Sequence, residues 1–518
     1  MRVRSIALAA LALSSACSGK SDPKKDETKP TESAPKKVVE KKPVDKAPLP
    51  PLAKDPGGAT GTPMRVTGWG GLGIDAVRDV AVDEDGNVYA GGYFDADMDF
   101  GGSIGKRTAP TETPKKPTDP TKPASQAEIV KLGADGKIAW VDTWGGVRDD
   151  AINAVAVKGD TVVVAGTFLD KIDITGTGGG KPMTVKSSGS DDAIVVAYNK
   201  TGEAQWVWNI GGINSDGANT VAATPDGGWI VGGSFSDWVD FGVAQLKTRG
   251  GTDAMLIKLK GTGEIEWVKQ FGGAYQDYIA HVAVDAKGNI IVQGQFKDIS
   301  DWGGEKLKAG GGSDYDVVLA KYDLNGDHLW SQRFGNGFND VAGGVTVDPA
   351  GFITMVGSFD KSASFGKGDD HTSAGESDIF VVRFSPDGEL QWARTYGADR
   401  EDIASGVATD ANGNTVTTGW FQQTVDFGKG PLTSKGNKDI FALKLDVSGG
   451  VVWAQRFGDK DHDQGRSIAL DSKGNAYLAG IYRFGFDTGV ASIPVLQSAR
   501  ADGDRIPKPD AFVLQLGR

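Results

Sequence analysis

One cysteine in 518 residues leaves no partner for a disulfide within the chain and excludes a cysteine-rich zinc site. Histidine is nearly as scarce. His281, His328, His371 and His462 fall at unrelated places in the repeat described below, and no pair has metal-ligand spacing. Basic charge is outweighed, with 56 Lys and Arg against 68 Asp and Glu, a net −12 that argues against a nucleic-acid binder. No Gly-x-Ser-x-Gly elbow, phosphate loop or dinucleotide fingerprint occurs in a strand-to-helix setting. Helical periodicity is missing too, and glycine is abundant in its place. The chain has 75 glycines, about 14% against the usual ~7%. Each would cost a helix ~1 kcal/mol, so this load suits an all-β chain with many tight turns.

Arg2 and Arg4 precede the apolar run Ile6 to Leu13, followed by Ser14, Ser15, Ala16 and the lone Cys17. A basic start, a short apolar stretch and small residues make an export signal. The run is too short to span ~30 Å of hydrocarbon as a helix. With cysteine directly after the expected cut, the segment resembles a bacterial lipoprotein signal, which implies acylation of Cys17 and a membrane anchor. Ordinary cleavage after Ala16, leaving Cys17 as a free thiol, is the alternative. Ser18 after the acylated cysteine favours the outer membrane, by analogy with enterobacterial sorting. Residues 18 to 63 hold ten Lys, seven Asp or Glu and nine Pro, with few large apolar side chains. Such a segment cannot offset its ordering entropy, and residues 17–63 are expected to be a disordered tether reaching about 100 Å when extended.

From residue 64 onward the sequence repeats seven times. Asp75, Asp150, Asp216, Asp277, Asp340, Asp402 and Asp463 recur at separations of 75, 66, 61, 63, 62 and 61 residues. A second column, eight residues on, reads Asp83, Asp285, Asp348, Asp410 and Asp471, with Lys158 and Thr224 in units two and three. A third reads Asp99, Asp173, Asp240, Asp301, Ser364, Asp426 and Asp487. A fourth reads Gln126, Asp192, Asp253, Asp316, Asp378, Asp439 and Asp510. Trp140, Trp206, Trp267, Trp330, Trp392 and Trp453 complete the register. Each unit carries four short runs of strand character bounded by Gly, Asn and Asp, as in Asp378-Ile-Phe-Val-Val382. Four strands repeated about every 60 residues predict a seven-bladed β-propeller over residues 64–518.

The two ends supply an independent prediction. Unit seven stops at Asp510-Ala-Phe-Val-Leu-Gln-Leu-Gly-Arg518 without a fourth strand. At the other end, Arg65-Val-Thr-Gly-Trp69-Gly-Gly matches Trp267-Val-Lys-Gln-Phe271-Gly-Gly. The amino-terminal strand should therefore complete the last blade, three strands from one end and one from the other, and remove two exposed sheet edges.

With Gly70-Gly71 through Gly91, Asp240-Phe241, Asp426-Phe427 and Asp510-Ala-Phe-Val513 in place, the sequence resembles the bacterial SBBP β-propeller repeat family of secreted and cell-surface proteins. The resemblance implies the fold and no particular reaction. A carboxylate present in every blade answers a need of every blade, so the Asp columns read as acceptors for turn N–H groups. The Trp column, like Phe94, Phe168, Phe235, Phe296, Phe359 and Phe421, reads as packing between blades. No cofactor is expected. The weak calcium signal at Asp323-Leu-Asn325-Gly-Asp327 lacks the terminal Glu of a calcium loop.

Symmetry breaks in the segments between second and third strands, which hold 31, 23, 17, 19, 18, 17 and 27 residues in units one to seven. The longest fall in units seven, one and two, neighbours once the ring closes. There, Arg107, Lys115, Lys116 and Lys122 are the expected partner-contacting residues. The resulting expectation is a monomeric, lipid-anchored, extracytoplasmic propeller at the outer membrane or cell surface. It would bind protein or glycan without catalysis and without contacting nucleic acid. The alternatives are an accessory lipoprotein of outer-membrane assembly, by analogy of fold, and a hydrolase or lyase with carboxylates at the axial mouth.

Overall fold

The computed structural model describes residues 60–100, 104–108, 124–146, 148–177, 181–311, 314–366, 368–499 and 506–518. The export signal, Cys17, the tether up to residue 59, and Lys115, Lys116 and Lys122 lie outside them. Each repeat folds as one antiparallel four-stranded sheet, strand one at the axis and strand four at the rim. In blade six the strands are Ile403–Thr409, Thr415–Phe421, Asp439–Leu445 and Val451–Phe457, hydrogen-bonded in that order. Third strands are continuous β-branched and aromatic runs, and Asp439–Leu445 is buried at every residue. A blade covered by neighbours on both faces leaves its middle strands no polar side, so the alternation of a half-buried strand disappears.

Seven blades make a closed ring. The innermost strands Asp75–Val82, Ala151–Lys158, Gly217–Ala223, Asp277–Val284, Asp340–Val347, Ile403–Thr409 and Gln464–Leu470 each touch the next, and the last touches the first. The core is accordingly divided into seven apolar clusters, each shared by two adjacent blades. Phe94, Phe168, Phe235, Phe296, Phe359 and Phe421 are at most 1% exposed, and Tyr482 takes the same place in blade seven. Each such ring contributes about 1.5–3 kcal/mol by leaving water.

Closure follows the three-plus-one arrangement. Strand Pro63–Trp69 pairs antiparallel with Asp510–Leu516, Arg65 opposite Gln515 and Trp69 opposite Ala511. The ring also takes in Thr60 to Pro63, which the sequence assigned to the tether. Gly517 N donates to Thr62 O at 2.9 Å, as Asp446 N donates to Gly450 O at 2.8 Å in the blade-six turn. Gly61, at φ +61°, stands where Gly449, at φ +78°, stands in that turn. The seventh turn is thus assembled from the two ends.

One irregularity recurs in every blade. The innermost strand carries a bulge at Arg78, Asn153, Asn219, Ala280, Gly343, Ser405 or Arg466. Just before the bulge it presses against the second strand, which explains the glycine two residues ahead of each buried aromatic. A Cβ at Gly92 would lie 1.9 Å from Ala76 O, and one at Gly419 the same distance from Ile403 O. No side chain fits there.

Candidate functional site

In an up-and-down blade the first-to-second and third-to-fourth turns share one end, the turn face. The other two kinds of connection share the opposite end, the loop face. On the turn face the second Asp column caps hairpins. Asp285 Oδ1 accepts from Lys287 N at 2.9 Å and Asn289 N at 2.8 Å, and Asp83, Asp348, Asp410 and Asp471 repeat this geometry. A column of cations that the sequence reading missed lies beside these carboxylates. Lys321 pairs with Asp285 at 3.3 Å, Lys444 with Asp410 at 3.4 Å, and Arg383 with Asp348. Its signal was a Lys or Arg just before the last residue of the third strand in five of the seven blades, Lys131, Lys258, Lys321, Arg383 and Lys444, easily taken for an ordinary solvent-facing charge.

The Trp column ties each blade to the next. Trp140, Trp206, Trp267, Trp330 and Trp392 donate their indole N–H to Lys200, Gly261, Leu324, Pro386 and Val447 carbonyls, at 3.0, 3.0, 3.2, 3.3 and 3.0 Å. Every acceptor is the second residue of the following blade's third-to-fourth turn. In blade seven Arg65 replaces Trp and donates to Ala134 O at 2.9 Å. Trp453 faces the seam between the chain ends, and its buried N–H finds no acceptor.

On the loop face the first Asp column holds the connections. Asp150 takes Gly146 N at 2.9 Å and Leu169 N at 3.0 Å; Asp216, Asp402 and Asp463 likewise bridge the preceding and following loops. Asp75 and Asp277 accept from Gly71 and Gly273. Burial pushes these carboxyls up, to about 9 for Asp75 and Asp340, about 8 for Asp150 and Asp463, and about 7 for Asp216, Asp277 and Asp402. The fourth-column carboxylate of the preceding blade adds to the rise at several of them, as Asp316 does at Asp340. Asp340 is the least supported: neither buried oxygen is held by a well-formed hydrogen bond, and only the Asn336 backbone approaches it. Asp323 closes its own turn by accepting from Asn325 N and Asp327 N at 2.9 Å. Among the described residues no three acidic, His or Cys side chains converge as a metal site.

The loop face is also the apolar one. Among the described residues twelve large apolar side chains stand exposed, and all but Met64, Leu329 and Val243, the last at a hairpin tip that runs back toward the turn face, lie at this end. Ile213, Trp238, Tyr275, Ile299, Phe338 and Val341 belong to the loops and strand ends of blades two to five, whereas Leu72, Val495 and Ile506 flank the long segments of blades seven and one. Ile213 is 76% exposed and Trp238 49%. Arg107, in the two-stranded hairpin Met98–Asp99 and Lys106–Arg107, turns back on it and donates to Ile104 O at 3.0 Å.

At the axis, bulge side chains reach from blade to blade. Asn153 Nδ2 donates to Ala218 O and Asn219 Nδ2 to Ile279 O, both at 2.9 Å. His281 bonds the Ala342 backbone, and burial lowers its imidazole to about 4. Asp79 accepts from Ser467 Oγ of blade seven at 2.6 Å and Val155 N of blade two at 2.8 Å, and burial raises it to about 6. Arg78 donates to Asn153 Oδ1 and lies 4.8 Å from the Tyr93 ring centre. These polar groups are spent on joining blades. Because bulge residues differ between units, the repeat did not point to them.

Comparison with known proteins agrees with the fold. Residues 452–480, from the last strand of blade six to the second of blade seven, match the SBBP family, described as Beta-propeller repeat. The chain is 24% identical over 279 residues to an uncharacterized WD repeat-containing protein of Acanthamoeba polyphaga mimivirus, covering 45% of this chain and 20% of that one. It is 25% identical over 386 residues to Regulatory protein FlaEY of Caulobacter vibrioides, covering 69% and 39%. The matched region thus spans a fifth and about two fifths of those relatives' lengths. Among solved structures, Sqt1 from Chaetomium thermophilum aligns at 11% identity over 87% of this chain and 100% of that one, with a TM-score of 0.36.

Proposed function

We propose that this protein is a lipid-anchored, extracytoplasmic propeller scaffold that binds a protein or glycan partner through its loop face and catalyses no reaction. The observation that carries the reading is the one-sidedness of the exposed apolar surface: nine of twelve such side chains sit at the loop-face end. Exposed apolar groups gathered on one side of a soluble domain mark contact surfaces. The repeated carboxylates hold turns, and Asp79 and His281 hold neighbouring blades, so neither set is poised as a free acid–base pair. Cys17, set after an export signal, supplies the anchor, and Ser18 directs it to the outer membrane. The partner is expected outside the cytoplasm.

Two variants of the full-length protein test this, used as bait on detergent-solubilised envelopes. Trp238→Ser/Tyr275→Ser/Phe338→Ser should lose partner capture while melting within a few degrees of wild type. Trimming Lys106 to Ser125 asks whether the long-loop sector shares the contact. Capture undiminished in both would overturn the loop-face reading. Cys17→Ser should move the protein from the detergent phase to the aqueous phase, and retention in detergent would overturn the anchor.

A further inference from the structure

The bulge side chains of blades one to three each find a partner on the following blade, as the Arg78, Asn153 and Asn219 contacts show. Blade seven breaks the pattern. Arg466 occupies its bulge and reaches toward blade one, where the corresponding place is filled by another guanidinium, Arg78. The two strands are in register there. Ser467, next to Arg466, donates to Asp79, next to Arg78, at 2.6 Å, and Val80 N reaches Ser467 Oγ at 3.3 Å. Among the described residues Arg466 makes no hydrogen bond or ion pair, and the groups that act on it are the Tyr93 phenol, which favours its charge, and Arg78, which opposes it. Asp79, the acid next to Arg78 in sequence, is occupied by Ser467 and the Val155 backbone.

Two like charges half out of water, with no carboxylate pairing them among the described residues, repel each other and forfeit hydration. Burial pushes Arg466 down, Tyr93 offsets part of this and the Arg78 charge adds to it, and among the described residues its planar fork of donors is left unspent. A guanidinium pair with free donors matches the geometry of a carboxylate or phosphate group, which accepts two parallel N–H bonds. Tyr93 and Asn153 hold Arg78 in place, so half of the site is already ordered. We propose that Arg78 and Arg466 form an axial binding site, at the junction of blades seven and one, for a ligand bearing an oxyanion, either carboxylate or phosphate.

This site is built from the innermost strands rather than the loops and stands or falls separately from the scaffold reading. Its test uses the full chain titrated with inorganic phosphate, sulfate or citrate against chloride at matched ionic strength, read by calorimetry and by melting temperature. At least one of the three should bind with a stoichiometry of one and raise the melting temperature by several degrees. Phosphate or sulfate binding alone would identify a tetrahedral oxyanion ligand, and citrate binding alone a carboxylate. Arg466→Gln should weaken that binding at least tenfold and in chloride should melt at or above wild type, since the unrelieved repulsion is gone. Arg78→Gln should weaken it as well. A wild type that responds to none of the anions more than Arg466→Gln does would overturn the proposal. So would a response that follows ionic strength alone.

Discussion

At the scale of single residues, the same sequence signal covers positions with different energetics. Seven aspartates look alike in the repeat, yet six of them accept at least one good backbone hydrogen bond and Asp340 has none. Its folded-state value of about 9 lies far above the ordinary carboxylate value, so the folded form favours the proton. The sign follows. The penalty for ionising is absent below the unfolded value near 4, grows as pH rises, and is complete above about 9. Asp340→Asn should therefore be near neutral at pH 4.5 and stabilising by about 1–3 kcal/mol at pH 9, where the introduced amide can donate to Asp316. Denaturant melts at the two pH values measure this, and a gain independent of pH would sink it. The Trp column divides in the same manner. Trp392→Phe loses a hydrogen bond at 3.0 Å and should cost about 1 kcal/mol more than Trp453→Phe, whose indole N–H has no acceptor. The repeat made these columns legible as turn holders and inter-blade packing. That Trp453 lacks its partner follows from where the ring is interrupted, and that Asp340 does from its own loop, neither of which the repeat encodes.

At the scale of strands and turns, legibility followed repetition. Four strands per unit, their order and the borrowed closing strand could all be read, because a requirement met seven times leaves seven copies of the same residues. The bulge was not foreseen, since its own residue varies from Arg to Gly. Its trace was the glycine on the facing strand, which has no room for a side chain. Gly92→Ala should cost about 3 kcal/mol, because its Cβ would fall 1.9 Å from a carbonyl that is itself part of the inner ring. Gly159→Ala, in an open turn at φ +55°, meets no atom within 4 Å and should cost less by chemical denaturation. Equal costs at the two sites would refute the close-approach account. The axial arginines escaped notice for the same reason as the bulge: what marks them is a neighbour in space on the adjacent blade, a seventh of the ring away, that the repeat does not encode. The proposed binding loop was legible only as unequal length, which says where tolerance lies and not what touches it.

At the scale of the whole ring, the interruption is a matter of bookkeeping between seven equivalent turns. Thr60 N lies 3.0 Å from Arg518 O, and Gly61 occupies the glycine place of the seventh turn. The chain therefore runs from Arg518 to Thr60 in space much as it runs from Val447 to Ser448 in covalent bonds. A permutant with Arg518 joined directly to Thr60 and new ends at Ser448 and Val447 should fold to the same ring and melt within a few degrees of residues 60–518. In it Trp453 gains the Arg518 carbonyl as an acceptor while Trp392 surrenders the continuity of its own turn, so the losses and gains offset. Deleting Thr60 to Trp69 from the unpermuted chain is the opposite case. It removes a whole strand, the Arg65 bond to Ala134 and the buried Trp69, and leaves Asp510–Leu516 as a bare hydrophobic edge. That truncation should lose its cooperative melt and associate in gel filtration. If the permutant aggregates while the truncation melts unchanged, the ring is not held shut by its own first strand, and the inference drawn from the two chain ends fails with it.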